Sequence, residues 1–293
     1  MKSSKQSPIT CLLLLFIRST TLLQILKCCP SSSSFIFLST TSTHPQRRHY
    51  HQPKVLMQAR RNNNKNRRGG GFNSDDPFSF ESDLQSRGFE YIIGSDESGR
   101  GCLAGPVITA SVCILTKQNN DDNNNPILIP NVRDSKKLTK EERIDIYTQV
   151  INQPDLFVYQ IAERSNEEID EMNILRSTMD CFADSIETLV QKMNFPANET
   201  YSIVDGKKSP KLTNGVSCRP FVKGDSIVYT VALASIIAKV TRDKIMCDDI
   251  HSRYPQYGFD SHYGYSTKEH IEAIHKYGAS PVHRMSCKPV KGR

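Results

Sequence analysis

The chain has 293 residues and a formal net charge of +7, enough for one large or two small domains and for a core that needs no disulfide or metal staple. The charge is unevenly placed: residues 1–74 hold 12 Lys or Arg and no Asp or Glu, which leaves the rest with 26 basic against 31 acidic residues, a net of −5. That excludes a uniformly basic coat for a polyanion, so a nucleic acid bound by the body must be met by local patches or by metal ions. The nine cysteines form no C-x-x-C pair and no zinc spacing, which reads as reduced, buried thiols rather than a disulfide framework.

Residues 1–74 are rich in Ser, Thr and Arg and free of acid, the composition of an organellar transit peptide. The reading is a mitochondrial or chloroplast address, with cytoplasm or nucleus as the alternative. The apolar run at 12–17 is too short to span a bilayer, and no membrane attachment is expected. Residues 75–88 read as a linker and 89–293 as the folded body. Tyr91-Ile92-Ile93 is a short apolar strand, followed by Asp96 and Glu97 and then by Ser98-Gly99-Arg100-Gly101. Neighbouring side chains on a regular strand point apart, so the two acids share a site only if the strand ends there.

Residues 107–115 form a second strand, with a hairpin return placed around the polar segment 119–125. Thr139 and Glu142 have capping-box spacing and open a helix toward Val150; residues 156–162 form another strand. Ser165 and Glu168 repeat the capping box. Behind them Ile169, Met172, Leu175, Met179, Phe182, Ile186 and Leu189 recur at helical spacing, predicting one amphipathic helix. Residues 201–204 make a short strand that ends on Asp205-Gly206. Lys223-Gly224-Asp225-Ser226 precedes a long helix from Val231 toward Ile250. Residues 254–265 read as irregular, and 267–277 as a last helix closed by Gly278. Strands alternating with helices give an α/β domain with a mixed sheet.

Asp96-Glu97, Asp205 and Asp225 each stand where a strand stops or a loop begins. Such ends converge on one edge of an α/β sheet, where four acids repel one another unless cations neutralise them. Hard oxygen ligands suit Mg²⁺ or Mn²⁺, and two such ions bridging a scissile phosphate account for the set. Taken singly, Asp205 is as well explained by a turn and Asp225 by a helix start. Lys136, Lys137, Lys207 and Lys223 are candidate phosphate contacts, each of which alone reads as a solvated lysine. Asp243, His262 and His283 read as structural.

Ile93-Gly94-Ser95-Asp96-Glu97-Ser98-Gly99-Arg100-Gly101, continued by Leu103-Ala104-Gly105-Pro106-Val107, resembles the opening signature of the ribonuclease HII family, the type 2 ribonucleases H. Cys102 stands where many members carry proline. Val204-Asp205-Gly206 and Lys223-Gly224-Asp225-Ser226 are similar to that family's second and third acidic motifs, residues 234–243 to its helix signature, and residues 262–267 to its glycine-tyrosine motif, with Ser266 where proline is usual. The resemblance runs from about Phe89 to Val290.

It implies a ribonuclease H-like mixed β-sheet flanked by helices, with a helical C-terminal extension. It implies an endonuclease that degrades the RNA strand of RNA–DNA hybrids and cuts 5′ of ribonucleotides embedded in duplex DNA, leaving 5′-phosphate and 3′-OH ends. By the same resemblance Asp96, Glu97, Asp205 and Asp225 bind the catalytic metal, Gly99, Arg100 and Gly101 grip a 2′-OH, and Tyr265 stacks beneath the following sugar. A bacterial-type, single-chain, monomeric form with no obligate subunit is implied. The residues themselves leave open another two-metal nuclease of the same fold or an inactive hybrid-binding module. The presence of all four acids speaks against the latter.

Overall fold

A computed structural model describes residues 76–116 and 126–292; the leader and the segment expected to hold a hairpin return lie outside them. Five strands, β1 (Tyr91–Ser98), β2 (Val107–Ile114), β3 (Phe157–Arg164), β4 (Thr200–Asp205) and β5 (Ser217–Phe221), form one sheet in the order β3-β2-β1-β4-β5. β2 runs antiparallel to β1 and β3, whereas β4 runs parallel to β1 and β5, so the sheet is mixed as expected. The antiparallel partner beyond β2 is β3, reached through helix α2 (Lys140–Ile151). β5 was not legible as a strand. Its Ser-Cys-Arg-Pro-Phe sequence is mostly exposed, and Pro220 is tolerated because the strand lies at the sheet edge.

Helix α1 (Ser79–Ser86) occupies the stretch read as a linker. Phe78, Glu81 and Leu84 are buried there, three anchors hidden in the sequence among Asp, Ser and Gln. The capping boxes at Thr139/Glu142 and Ser165/Glu168 both form. The single helix expected after Ser165 is instead two, α3 (Asn166–Met172) and α4 (Ile174–Met193), broken at Asn173 with φ 75°. Asn tolerates positive φ, and its side chain accepts from Arg176 N at 3.1 Å, starting α4 afresh. The apolar stripe of α4 packs Phe182, Ile186 and Leu189 against Ile93, Cys113 and Val204 on one face of the sheet.

On the other face lies helix α5 (Tyr229–Lys244), buried along nearly its whole length. It sits directly on β1 because Gly94 has no side chain: a Cβ there would come within 2.3 Å of the Thr230–Val231 backbone. α5 continues through a π-helical segment (Ile245–Ile250) into the single turn α6 (His251–Arg253); α7 (Phe259–His262) and α8 (Lys268–Tyr277) follow. The region read as irregular thus holds short helical turns. These elements enclose a second apolar centre of Met246, Ile250, Tyr257, Phe259, Ile274 and Val282 over Leu103 and Ala104. Among the described residues the six cysteines are free, and no helix is long and apolar enough to cross a membrane.

Glu81 joins α1 to α5. Val228 gives α5 no side-chain cap; instead Glu81 Oε1 accepts from Thr230 N at 2.8 Å and from Thr230 Oγ1 at 3.0 Å, satisfying a backbone donor at the helix start. Its Oε2 is buried without a partner, and burial pushes the carboxyl up to about 7 from 4.5. Between those values the folded chain binds more proton at Glu81 than the unfolded chain does, so this contribution to stability is complete below pH 4.5 and is lost as pH rises through 7. Glu81→Gln should therefore gain on wild type by on the order of 3 kcal/mol between pH 5 and pH 8. Urea unfolding at the two pH values measures the gain; a pH-independent gap would contradict it.

Candidate active site

The register of β1 and β4 builds the site. Ser95 pairs with Val204, so the next residues along the two parallel strands, Asp96 and Asp205, emerge side by side at their C-terminal ends. β1 does not end there as expected. Its ladder to β4 stops at Ser95, but its ladder to β2 continues through Asp96↔Ala110 and Glu97↔Thr109 to Ser98. Asp96 is 5% exposed and Glu97 is half-buried. Asp205 also pairs with Phe221 of β5. The chain then turns at Lys223, φ 61°, so that Gly224 N donates to Asp205 Oδ1 at 2.7 Å and Asp225 follows in a short 3₁₀ turn, 5% exposed. The four acids thus come from three separate segments to one sheet edge.

Their electrostatics are those of crowded anions. Burial, then the charges of Glu97 and Asp205, holds the Asp96 carboxyl well above the usual range. Burial and Asp205 raise Glu97 against the opposing pull of Arg100. Burial and Asp225 raise Asp205. Lys136 reaches into this group from the turn Ser135–Lys137, its Nζ 3.2 Å from Asp225 Oδ2 and 3.9 Å from Asp134 Oδ1. Burial works against its charge, but Asp225, Asp134 and Asp96 outweigh it and raise its pKa. Ser235 of α5 shares a 2.8 Å hydrogen bond with the Ser135 hydroxyl, and its pull on the Asp96 carboxyl works against the upward shift. Neither serine stood out in the sequence.

Among the described residues no three carboxylate, imidazole or thiol groups stand in ready metal-ligating geometry. The donors nonetheless fit a hard divalent ion: they are carboxylate oxygens throughout, and their mutual repulsion is a demand for positive charge that the Lys136 ammonium meets only in part.

Beside the acids lies the Gly-Arg-Gly loop. Arg100 is exposed and turns back toward Glu97, Nη1 to Oε1 3.5 Å. Gly99 has φ 93°, and a Cβ on it would fall 2.0 Å from Arg242 Nε, so only glycine fits. A Cβ on Gly101 would meet open space. Lys207 and Lys223 are exposed next to Asp205 and Asp225. Tyr265 is 37% exposed and carries Lys239 Nζ 5.3 Å above its ring. Leu103 N donates to Gly264 O at 2.8 Å, which stitches the glycine loop to the tyrosine turn. Asp243, read as structural, pairs with Lys239 at 2.8 Å.

Two residues that sequence reasoning passed over organise these loops. Arg242, 0% exposed, donates to the carbonyls of Pro106 (2.9 Å), Tyr263 (2.8 Å) and Ala104 (3.0 Å). Arg284, 1% exposed, donates to those of Gly105 (2.8 and 3.0 Å), Cys102 (3.0 Å) and Arg100 (3.2 Å).

A sequence model of one family, Ribonuclease HII, matches residues 93–290. The chain belongs to the ribonuclease HII family. It is 39% identical over 213 residues to ribonuclease HII of Chlamydia pneumoniae, covering 73% of this chain and 90% of that one. To the Clostridioides difficile protein it is 44% identical over 208 residues, 71% of this chain and 73% of that one. The fold is likewise that of ribonucleases HII and HIII. The Archaeoglobus fulgidus ribonuclease HII, solved in complex with PCNA, superposes with a TM-score of 0.51 at 22% identity over 68% of this chain and 95% of that one. Bst-RNase HIII in complex with Mn²⁺ superposes at 0.51 and 18% over 71% and 70%. The chain is accordingly a ribonuclease H, an endonuclease of the hydrolase class.

Charge crowding makes a prediction for the protein without metal. In chelator at pH 8, Asp96→Asn should melt higher than wild type by at least ~2 °C, since each kcal/mol of relieved repulsion is worth about 2–4 °C in a chain of this size. Adding Mn²⁺ should narrow the gap. Thermal melts read both, and a lower melting temperature for the variant in chelator would contradict the assignment of Asp96 to a repulsive cluster.

Proposed function

We propose that the chain cuts the RNA strand of RNA–DNA hybrids and nicks duplex DNA on the 5′ side of a single embedded ribonucleotide, leaving 5′-phosphate and 3′-OH ends. The observation that carries this reading is the convergence of Asp96, Glu97, Asp205 and Asp225 on one edge, next to a glycine loop that is tied by hydrogen bonds to the Tyr265 turn. The four acids would hold two divalent ions, Mg²⁺ or Mn²⁺, which when bound supply Lewis-acid charge for activating water and stabilising the leaving oxygen.

The other steps fall to the chain itself. Lys136, 3.2 Å from Asp225 Oδ2, balances the acids and would hand its charge to a phosphate beside Asp225. Lys207 and Lys223 flank the same edge and meet neighbouring phosphates. A 2′-OH both donates and accepts, and it is the local mark that separates RNA from DNA. The open space at Gly101 lets the backbone of the Gly99-Arg100-Gly101 loop approach it. Tyr265 offers a ring on which the next sugar packs flat when it lacks a hydroxyl, so the pair reads a ribonucleotide followed by a deoxyribonucleotide. The protein would act as a monomer, and the acid-free composition of residues 1–74 supports an organellar address.

Kinetics on two substrates test the reading. Wild type should cut both a long hybrid and a duplex with one ribonucleotide. Asp205→Asn should lose roughly 10²–10³-fold or more on both, as expected for removing one element that stabilises transition-state charge. Tyr265→Ala should lose roughly ten- to a hundredfold on the single-ribonucleotide duplex, the worth of one stacking contact, and less on the hybrid. Near wild-type cleavage by Asp205→Asn would refute the role of the acids; equal losses for Tyr265→Ala on both substrates would refute junction reading.

A further inference from the structure

Three histidines lie beneath the tyrosine turn, and their hydrogen bonds have a single consistent direction. Ser280 N–H donates to His283 Nδ1 at 2.9 Å, so His283 carries its proton on Nε2. That nitrogen lies 3.0 Å from His270 Nε2, which must then accept, leaving the proton of His270 on Nδ1. His270 Nδ1 in turn lies 2.8 Å from Tyr265 O and donates to it. Alongside, stacked on His270 with ring centres 4.4 Å apart, His262 accepts from Gly264 N at 3.2 Å and donates to Tyr257 O at 2.7 Å. His270 and His283 are 0% and 1% exposed, and burial pushes both down to about 4 from 6.5, so both rings are neutral. A second proton on His270 would set two N–H groups against each other across the 3.0 Å contact, and one on His283 would do the same against Ser280 N–H at 2.9 Å.

The relay joins two parts of the site. The backbone of His283 bridges Ala104, and its neighbours bond the glycine loop: Gly105 N to Val282 O and Arg284 N to Leu103 O, each 2.8 Å. The side chain of His283 therefore stands on the segment that holds the glycine loop and reaches through His270 to the carbonyl of Tyr265. We propose that His270 and His283 are positioning residues that fix Tyr265 relative to the Gly-Arg-Gly loop, and so set the preference for a lone ribonucleotide over a continuous hybrid. The substrate half of this proposal rests on the reading of Tyr265 given above; the positioning half does not.

The experiment uses the full chain, which contains no tryptophan, so Tyr265→Trp supplies a single reporter. An asparagine at 270 puts its amide where Nδ1 stands and keeps the bond to residue 265; a glutamine puts it where Nε2 stands and keeps only the bond to His283. In the Tyr265→Trp background, His270→Gln should lower the anisotropy of the indole and shift its emission to the red, and His270→Asn, which gives up only the contact to His283, should do so less. With the native tyrosine, His270→Gln should lose roughly fivefold in kcat/KM on the single-ribonucleotide duplex relative to the hybrid, the worth of one hydrogen bond, and His270→Asn should recover most of it. Melting curves confirm that both variants fold, and His283→Asn, which gives up the Nε2 contact to His270, should lower the anisotropy to the same smaller extent as His270→Asn and stands in if either does not. Indistinguishable indoles in folded His270→Asn and His270→Gln would overturn the positioning role. An indole that responds as described, in a chain whose wild type leaves the single-ribonucleotide duplex uncut, would uphold positioning and overturn only the reading of Tyr265.

Discussion

Two buried guanidinium groups with no carboxylate partner among their hydrogen bonds hold this structure's working face in place. Taking a charge out of water is costly unless its hydrogen bonds are replaced, and Arg242 and Arg284 replace theirs with backbone carbonyls alone: Ala104, Pro106 and Tyr263 for one, Arg100, Cys102 and Gly105 for the other. Burial pushes Arg284 down to about 10, which still leaves it charged near neutral pH. The planar fork of arginine can address several acceptors at fixed angles, so loop 100–106 is tied down along its whole length. It cannot shift without unpairing a buried cation. The same clamp explains why residue 99 is glycine, since the Arg242 side chain fills the space where a Cβ would go.

The negative side of the site is balanced differently. The body carries a net of −5 and gathers four acids at one edge, yet it must receive a polyanion. The structure places Lys136 among the acids and leaves Lys207, Lys223 and Arg100 exposed around them. Cations that are solvated or loosely paired can be redirected to phosphates, whereas the two buried arginines are committed to the fold. Permanent charge holds the loops, and movable charge is left exposed beside the acids.

The features legible in the sequence were those fixed by local chemistry. Thr139/Glu142 and Ser165/Glu168 cap helices because the box is a local hydrogen-bond pattern. The acids were found because strand ends and glycines mark them in a single chain. The features that escaped depend on burial by distant segments. Phe78, Glu81 and Leu84 look like a linker until α5 and the sheet cover them. Asn173 breaks a periodic helix because its own side chain starts the next one, an event that apolar spacing does not register. β5 is polar because it lies at an edge. Arg284 and Arg242 went unremarked because arginine is almost never buried without a partner, and all but one of the carbonyls that partner them lie about 140 to 180 residues away. His283 was read as structural, and its part in the relay became visible only when Ser280 and His270 were placed around it.

The claim that the arginine clamp holds the catalytic face is tested most directly by amide hydrogen exchange of Arg284→Lys, read together with hybrid cleavage. Lysine keeps the charge but has one donor head in place of a planar fork. The account predicts faster exchange of the amides in 99–106 and 263–265 with protection of β1, β2 and β4 retained, and a loss of cleavage in the same protein. Unchanged exchange in those loops with wild-type cleavage would contradict it.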